Sequence, residues 1–331
     1  MKVAVFSSKP YDQAHLNAIN HGQHELTFFE PHLDEQTAAL SQGFDAVCCF
    51  VNDTLSAPVI DTLAANNVKL IAMRCAGFNN VDLTQSEHHG ITVTRVPEYS
   101  PYAVAEHAVA LSLCLNRNLH RAHNRVREND YSLHGLLGFD MHGKTVGVIG
   151  TGKIGLAFIR IMLGFGCKVI CHDPFPNPEV EQTDARYVPL EQIWAESDIL
   201  SLHCPLLPST RHIINSNSLH QMKQGVMLIN TSRGALIDTR AVIDALKTGK
   251  VGYLGLDVYE EEADLFFEDN SNKILYDDTF ARLQTFNNVM ITGHQAFFTE
   301  EALTAIADVT IKNISGFEAN DMEAICVVKA N

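Results

Sequence analysis

Short apolar runs alternate with helix-like stretches through the first hundred residues of this chain. One of the helix-like stretches covers residues 58–66. Strands are predicted at residues 3–6, 26–29, 46–51, 70–74 and 91–96. Alternation of this kind is typical of parallel strands joined by crossover helices, so it predicts an α/β region.

Pro97 and Pro101 mark the end of this region, because prolines so close together favour a chain boundary. A long apolar helix is predicted from Pro101 to about Leu119. A second α/β region follows, with strands predicted at residues 145–149, 168–172, 199–203, 227–230, 253–258 and 289–292.

A last helix is predicted over residues 299–317, and no strand of the second region remains for it to join. We therefore expect the chain to return to the first region. The predicted fold class is α/β, with two doubly wound parallel-sheet (Rossmann-like) domains. The domain of residues 101–297 is expected to be an insertion in a discontinuous domain formed by residues 1–100 and 298–331.

A G-x-G-x-x-G motif lies between a predicted strand and a predicted helix, at Gly150, Gly152 and Gly155. Gly150 would permit a tight turn, Gly152 would let the backbone approach a pyrophosphate, and Gly155 would let the helix pack closely on the strand. The next strand stops at Asp173, whose carboxylate can accept both ribose hydroxyls and would repel a 2′-phosphate. The full βαβ context therefore predicts a dinucleotide site, with NAD favoured over NADP. The alternative is a glycine-rich turn that binds nothing.

Charge and cysteine usage limit the other classes of partner. The 331 residues include 39 acidic and 24 basic ones, for a formal net charge of −15, which argues against a nucleic-acid partner. The first eight residues are too short and too polar for a signal peptide, and no apolar run reaches the about 18 residues of a membrane helix. Eight cysteines without a C-x-x-C pair are typical of reduced thiols. We expect a cytoplasmic protein with neither a membrane partner nor a metal site.

Three titratable residues follow strand-like runs of the second region: Arg233, Glu262 and His294. Ligands of open α/β sheets bind beyond the carboxyl ends of the strands, so all three would face one crevice. A guanidinium can clamp a carboxylate and polarise a carbonyl, and an imidazolium can donate a proton as an alkoxide forms. A carboxylate beside the imidazole would orient it and raise its pKa.

Together these are the groups that hydride transfer to a 2-keto acid needs. Each has an ordinary structural explanation when taken alone: an ion pair for Arg233, a solvated acidic loop for Glu262, and one of sixteen histidines for His294. The prediction therefore depends on their combination.

Residues 150–155, the 230–238 run with its Ser232-Arg233-Gly234 core, the 257–262 stretch and Gly293-His294 resemble the D-isomer-specific 2-hydroxyacid dehydrogenases. The resemblance extends over essentially the whole chain. Residues 74–80, 104–107 and 264–269 resemble, within that family, the bacterial fermentative members that reduce pyruvate to D-lactate with NADH.

The resemblance implies NAD as the cofactor, Arg233 as the ligand of the substrate carboxylate and His294 as the acid/base. It implies Glu262 as the partner of His294, because Glu262 lies five residues after Asp257, as the family pattern requires. The inserted domain would bind the coenzyme and the discontinuous domain the substrate. The family also implies a homodimer or homotetramer, assembled through the second domain and its long helix.

Further contacts follow from the resemblance. The backbone of Ala76 and Gly77, with Tyr99 and Phe297, would line a small substrate pocket, although core packing at a hinge is the alternative for Tyr99 and Phe297. Asp257 would contact the nicotinamide side. Other coenzyme contacts are expected at Lys153, Ile154, His203, Cys204, Pro205, Thr210, Thr231 and Ser232, and also at Arg233 and His294.

Other functions stay open on the sequence. Another 2-hydroxyacid dehydrogenase could act on glycerate, 3-phosphoglycerate or a bulkier 2-keto acid, but a phosphorylated substrate needs extra basic residues, and the segments around Ala76 and Tyr99 offer chiefly Arg74. Formate oxidation needs no proton exchange, so the Glu262 and His294 pair argues against it. An NAD-sensing binding protein on the same fold is the alternative from a different class. The D stereochemistry follows from the resemblance alone.

Overall fold

A computed structural model describes residues 1–262, 265–267 and 269–329 of the chain. Asp264 and Glu268, from the 264–269 run that contributes to the resemblance, lie outside the described residues. The chain divides into two compact units, which we call unit 1 (Met1–Ser100 with Phe298–Asn331) and unit 2 (Pro101–Phe297).

The first segment of unit 1 alternates strands and helices. Its elements are β1 (Lys2–Val5), α1 (Pro10–Asn20), β2 (Glu25–Phe28), β3 (Ala46–Cys49), α2 (Ala57–Ala65), β4 (Leu70–Met73), α3 (Leu83–His88) and β5 (Thr92–Thr94), with a 3₁₀ helix at Ala38–Ser41. All residues of β3 and β4 are buried, as expected for parallel strands that are covered on both faces. These two strands end before Phe50 and Arg74, earlier than the apolar runs predicted.

Unit 2 has the same alternation. Its elements are α4 (Pro101–Asn116), α5 (Leu119–Arg127), β6 (Thr145–Ile149), α6 (Lys153–Gly164), β7 (Lys168–His172), α7 (Pro178–Glu181), β8 (Arg186–Tyr187), α8 (Leu190–Glu196), β9 (Ile199–Leu202), α9 (Ser216–Gln221), β10 (Val226–Asn230), α10 (Thr239–Lys247), β11 (Val251–Leu256), α11 (Asp278–Gln284) and β12 (Val289–Ile291), with a 3₁₀ helix at Gly234–Leu236. Its sheet has the order β12-β11-β10-β9-β6-β7-β8, and every pairing is parallel.

The last segment completes unit 1 with α12 (Glu300–Glu318) and β13 (Val327–Val328). Thr299 caps α12, because its side chain accepts a hydrogen bond from the Ala302 N–H. The unit 1 sheet has the order β13-β5-β4-β3-β1-β2, and β13 pairs antiparallel with β5. The sequence did not predict this antiparallel edge strand, because two residues are too few to form a recognisable run.

The long helix predicted to reach about Leu119 ends at Asn116. The buried Asn116 amide donates to the Phe139 carbonyl and accepts from the Phe139 N–H, both at 2.8 Å. Asn118 then adopts a left-handed backbone with φ +51°, which a continuing helix cannot contain. The chain restarts as α5, of which no residue is buried.

Each sheet is covered by helices on both faces. In unit 2, α4 and α6 pack on one face with Val146 and Val148, and α8 to α10 pack on the other with Leu200 and Leu228. In unit 1, α2 lies on one face, and α1 and α12 lie on the other. Among the helices of the described residues, none is long and apolar enough to cross a membrane.

Candidate active site

The glycine motif forms the turn from β6 into α6, and the surroundings of its three glycines differ. Gly150 has φ +94°, and a Cβ there would lie 2.5 Å from the Cys204 nitrogen. A Cβ on Gly155 would lie 2.1 Å from the Gly150 carbonyl oxygen, so only glycine allows the helix to start this close to the strand. A Cβ on Gly152 would meet nothing within 4 Å, which leaves open space at the start of the helix.

This open space fits the phosphates of a dinucleotide. Gly152 is the N-cap of α6 and makes no side-chain capping bond, so the first N–H groups of the helix face the space without a capping side chain. Lys153 is exposed at the first turn, and Ile154 packs against the core of the unit. The motif lies at β6, where the strand order of the sheet reverses, and such a switch point is where open α/β sheets bind nucleotides.

Asp173 follows β7 and fixes the glycine turn. Its Oδ2 accepts hydrogen bonds from the Thr151 N–H at 2.7 Å and from the Thr151 hydroxyl at 3.2 Å, and its Oδ1 accepts from the Phe175 N–H at 2.9 Å. The Tyr187 hydroxyl in turn donates to the Thr151 hydroxyl at 2.8 Å. Asp173 is half-buried, so its remaining lone pairs are accessible to a ligand.

The loop after β9 begins with His203 and Cys204, which lie against the glycine turn. Burial lowers the pKa of His203 to about 3, so its ring is neutral at physiological pH, and its Nδ1 has no hydrogen-bond partner among the described residues. The exposed Pro205 is tied to Thr210, whose hydroxyl donates to the Pro205 carbonyl at 2.7 Å. The loop therefore has a fixed turn beside the dinucleotide motif.

The loop after β10 is held to this turn. The Ser232 hydroxyl donates to the Cys204 carbonyl at 2.7 Å, and the buried Asn230 amide donates to the Arg233 carbonyl at 2.8 Å. The Thr231 hydroxyl is buried without a partner among the described residues. A buried unpaired hydroxyl is costly unless a ligand or a water pairs with it, so Thr231 also fits a bound coenzyme.

Arg233 is half-buried at the end of this loop. One N–H of its guanidinium donates to the Ser232 carbonyl at 2.7 Å. The next residue, Gly234, packs against the backbone of the loop after β11, where a Cβ would lie 2.1 Å from the Tyr259 carbonyl carbon. This contact holds the Arg233 loop against the loop that carries Glu262.

Glu262 and His294 form a direct pair. The Oε1 of Glu262 lies 2.8 Å from the Nδ1 of His294, and its Oε2 accepts from the Tyr259 N–H at 2.8 Å. The side chains are 22% and 17% exposed, so the pair is shielded but accessible. The Phe267 ring lies 5.5 Å from the imidazole. His294 has φ +52°, a left-handed conformation that turns the chain sharply after β12.

Asp257 stabilises the backbone turn at His294. It is fully buried, and its carboxylate accepts the N–H groups of Gln295 and Ala296, both at 2.9 Å, and the Thr292 hydroxyl at 2.5 Å. The expected contact of Asp257 with the nicotinamide stays a prediction. In the structure, Asp257 positions the His294 turn.

The sequence reasoning missed two members of this network, His107 and Thr292. The His107 Nε2 lies 3.0 Å from the Thr292 hydroxyl and 3.4 Å from an oxygen of Asp257. The sequence does contain an indication of this role for His107. His107 lies on the same helical face as the buried Val104, Ala108 and Leu111. A titratable residue on a buried face needs a polar partner.

The remaining predicted pocket residues lie elsewhere in the chain. Ala76, Gly77 and Tyr99 belong to unit 1, where each is half-buried. Phe297 is the last residue of unit 2 and is 8% exposed.

Comparison with known proteins places this site in a family. A sequence profile for the NAD binding domain of D-isomer specific 2-hydroxyacid dehydrogenases matches residues 109–296. The D-lactate dehydrogenase of Escherichia coli is 52% identical over 97% of this chain and 98% of that protein. A 2-hydroxyacid dehydrogenase homolog of Haemophilus influenzae is 54% identical over 95% of each chain. The solved structure of the pyruvate reductase of Chlamydomonas reinhardtii has a TM-score of 0.93, with 49% identity over 97% of each chain.

The chain belongs to the D-isomer-specific 2-hydroxyacid dehydrogenase family. It is an NAD-dependent oxidoreductase that acts on a small molecule, and it has the two-domain Rossmann-like α/β fold of that family. The predicted family, fold class, enzyme class and cofactor are confirmed. Within the described residues, no group of three or more His, Cys, Asp or Glu side chains is arranged to hold a metal ion.

Proposed function

We propose that this enzyme reduces pyruvate to D-lactate, with NADH as the hydride donor and His294 as the proton donor. The observation that carries the proposal is the 2.8 Å contact between Glu262 and His294 beyond the carboxyl ends of the NAD-binding sheet. Two of the similar proteins, one named a D-lactate dehydrogenase and one a pyruvate reductase, support this choice of substrate.

Arg233 would bind the substrate carboxylate. A guanidinium has five N–H donors, and the contact with the Ser232 carbonyl uses one of them. The remaining donors can form a bidentate contact with a carboxylate and polarise the adjacent carbonyl. The net charge of −15 makes such a local cation necessary for an anionic substrate.

His294 would donate the proton from its Nε2. The Nδ1 is directed to the Glu262 carboxylate, which fixes the tautomer and the orientation of the ring. Reduction then moves the Nε2 proton to the carbonyl oxygen as the alkoxide develops. In the reverse direction the neutral ring accepts that proton from the hydroxyl of lactate.

NADH, when bound, supplies the hydride that is transferred to the carbonyl carbon. We propose that the coenzyme is held by the residues of unit 2 described above, from the glycine turn and Asp173 to the loops after β9 and β10. Unit 2 would thus be the coenzyme domain and unit 1 the substrate domain. Ala76, Gly77, Tyr99 and Phe297 would contact the substrate.

The deciding experiment is steady-state kinetics with NADH and a panel of 2-keto acids, followed by chiral analysis of the product. We expect pyruvate to give the highest kcat/KM and the product to be D-lactate. A higher kcat/KM for a phosphorylated or bulkier 2-keto acid would mean that pyruvate is not the preferred substrate. Tight NADH binding without turnover of any acid would identify a sensing protein and overturn the enzymatic proposal.

Asp173→Ala should weaken NADH binding by roughly 10-fold to 100-fold, because the charged acceptor for the ribose hydroxyls is lost. Discrimination against NADPH should fall, since the repulsive charge is also removed. The measurement is fluorescence titration of both coenzymes. Asp173→Asn is the matched variant, because it keeps an acceptor for the Thr151 N–H and separates the loss of charge from collapse of the turn. A wild-type preference for NADPH would contradict the role of Asp173.

Glu262→Gln keeps an oxygen that can accept from the imidazole but removes the negative charge. The carboxylate stabilises the positive charge of the ring that donates the proton, so we expect kcat for pyruvate reduction to fall by roughly 10-fold to 100-fold. The measurement is steady-state kinetics with saturating pyruvate and NADH. Glu261→Gln is the control, because Glu261 is exposed beside the pair and should leave kcat unchanged. An unchanged kcat in the Glu262 variant would mean that the charge of Glu262 contributes nothing to the proton transfer.

We also propose that the enzyme is a homodimer or homotetramer in the cytoplasm. Large apolar side chains are exposed on α5 and the segment after it, among them Leu133 at 83% and Leu137 at 90%. Since α5 buries no residue against its own chain, a second copy is the partner that would cover this surface. Sedimentation velocity should show a dimer or tetramer, and Leu133→Asp with Leu137→Asp should yield monomers. All eight cysteines are free, which is consistent with a reducing compartment.

A further inference from the structure

The loop after β4 in unit 1 contains two residues, Ala76 and Gly77, whose carbonyls accept hydrogen bonds from side chains. The Ala76 carbonyl accepts from the Arg95 Nη1 at 3.1 Å, and the Gly77 carbonyl accepts from the Cys75 thiol at 3.2 Å. The N–H groups of Ala76 and Gly77 donate to no other described residue. Both residues are half-buried.

Arg95 holds this loop by two contacts. Its guanidinium binds the Ala76 carbonyl and lies 5.0 Å from the centre of the Phe78 ring, a cation–π distance. None of the described residues forms an ion pair with Arg95.

The backbone of Arg95 is itself fixed. The Arg95 N–H donates to the Cys326 carbonyl at 3.0 Å, and the Arg95 carbonyl accepts from the buried Asn313 amide at 3.0 Å. Asn313 belongs to α12, so the returning C-terminal segment positions Arg95. The guanidinium is therefore held at the loop by the fold.

We propose that Arg95 is a positioning residue for substrate binding, which aims the Ala76–Gly77 peptide at the carboxylate of the 2-keto acid. The inference rests on the proposed function. It assigns to Arg95 the orientation and strength of the Gly77 N–H donor.

The geometry of the peptide bond explains how Arg95 could orient the Gly77 N–H. The Ala76–Gly77 peptide bond is trans, so its carbonyl and its N–H point in opposite directions. A guanidinium that fixes the Ala76 carbonyl on one side therefore fixes the Gly77 N–H toward the other side. The successive free N–H groups of Ala76 and Gly77 can then present a concave set of donors to an anion.

Polarisation of the Ala76–Gly77 peptide explains how Arg95 could make the Gly77 N–H a stronger hydrogen-bond donor. A cation bound to an amide carbonyl withdraws electron density from the peptide, which makes the N–H of the same peptide a better donor. The positive charge of Arg95 also attracts an anion in a chain whose net charge is −15. Arg95 thus contributes to recognition of a carboxylate without touching it.

The test is steady-state kinetics of Arg95→Met and Arg95→Lys with NADH and pyruvate. Loss of one charge-assisted contact should raise the KM for pyruvate by roughly 10-fold in the Met variant, with kcat reduced less than about 3-fold. Arg95→Lys keeps the charge and can still donate a hydrogen bond. Its KM for pyruvate should therefore lie between those of the wild type and the Met variant. The affinity for NADH, measured by fluorescence titration, should not change.

Binding of oxamate, an unreactive carboxylate analogue of pyruvate, to the NADH complex gives a readout without turnover. Its Kd should rise in parallel with the KM in the Arg95 variants. Lys69→Met is the matched control, because Lys69 is an exposed cation of the same unit, away from the 74–80 loop, and its loss should change neither constant.

Three results would overturn the assignment: unchanged KM and oxamate Kd in both Arg95 variants, an equal rise in the Lys69 variant, or a loss confined to kcat. If Arg95→Met melts at a much lower temperature than wild type, Arg95→Lys decides alone, and its KM must still rise. Failure of the wild type to reduce pyruvate or to bind oxamate would instead defeat the proposed function, so the two failures are distinguishable.

Discussion

His294→Gln should reduce the kcat for pyruvate reduction by roughly 10²-fold to 10⁴-fold, the range for a positioned general acid. The imidazole is the group that can both donate a proton from Nε2 and bind Glu262 through Nδ1. The affinity for NADH should stay within about 3-fold, because no residue of the glycine turn is altered. Pre-steady-state and steady-state kinetics, with fluorescence titration of NADH, measure these quantities.

The backbone at His294 requires a second variant. Its φ of +52° is tolerated better by Asn than by Gln, so His294→Asn separates lost chemistry from a strained turn. Both variants should lose activity to a similar extent. His220→Gln is the control, since His220 is exposed on α9 and should leave kcat unchanged. Retention of more than a tenth of the activity by both His294 variants would remove His294 from the proton transfer.

Arg233→Lys should reduce kcat/KM for pyruvate by roughly 10²-fold or more, about 3 kcal/mol of transition-state stabilisation. Lysine keeps the charge but lacks the planar fork that can bind a carboxylate and polarise a carbonyl together. The NADH affinity should barely change, and steady-state kinetics with varied pyruvate measures the loss.

Arg240→Lys is the matched control, because Arg240 is exposed on α10 beyond the same loop and should tolerate the exchange. Near-normal turnover of pyruvate by the Arg233 variant would mean that a point charge suffices, and that the bidentate role assigned to Arg233 is wrong.

These effects differ in kind from the one expected at Arg95. The His294 change should act on kcat and the Arg233 change on kcat/KM, whereas the Arg95 change should act mainly on KM. If all three residues altered the same constant to the same extent, the separation into acid, carboxylate ligand and positioning residue would not hold.

The dinucleotide motif was readable from the sequence because its chemistry is local. Gly150, Gly155 and Asp173 lie within one βαβ unit, so spacing alone predicts that the glycines meet the helix start and that the acid follows the second strand. The structure adds the close distances that exclude a Cβ at Gly155. It also adds the bonds by which Asp173 holds Thr151.

Strand ends and helix breaks were less readable. The apolar run through residue 51 predicted a strand, but β3 ends at Cys49 because the Phe50 N–H bonds to the buried Asp53. The helix break after Asn116 depends on its bonds to Phe139, which lies 23 residues further on. Contacts so distant along the chain leave no periodic pattern.

The sequence by itself determined most of the elements, the alternation that makes their strands pair in parallel, and the residue types of the site, because each depends on local spacing. Only the tertiary structure decided which side chains meet. Residues 32 positions apart form the Glu262 and His294 pair. The network of His107, Asp257 and Thr292 joins a helix to the loops of two adjacent strands. Partners brought together by strand order and helix packing are set by the whole fold, which short-range patterns along the chain cannot encode.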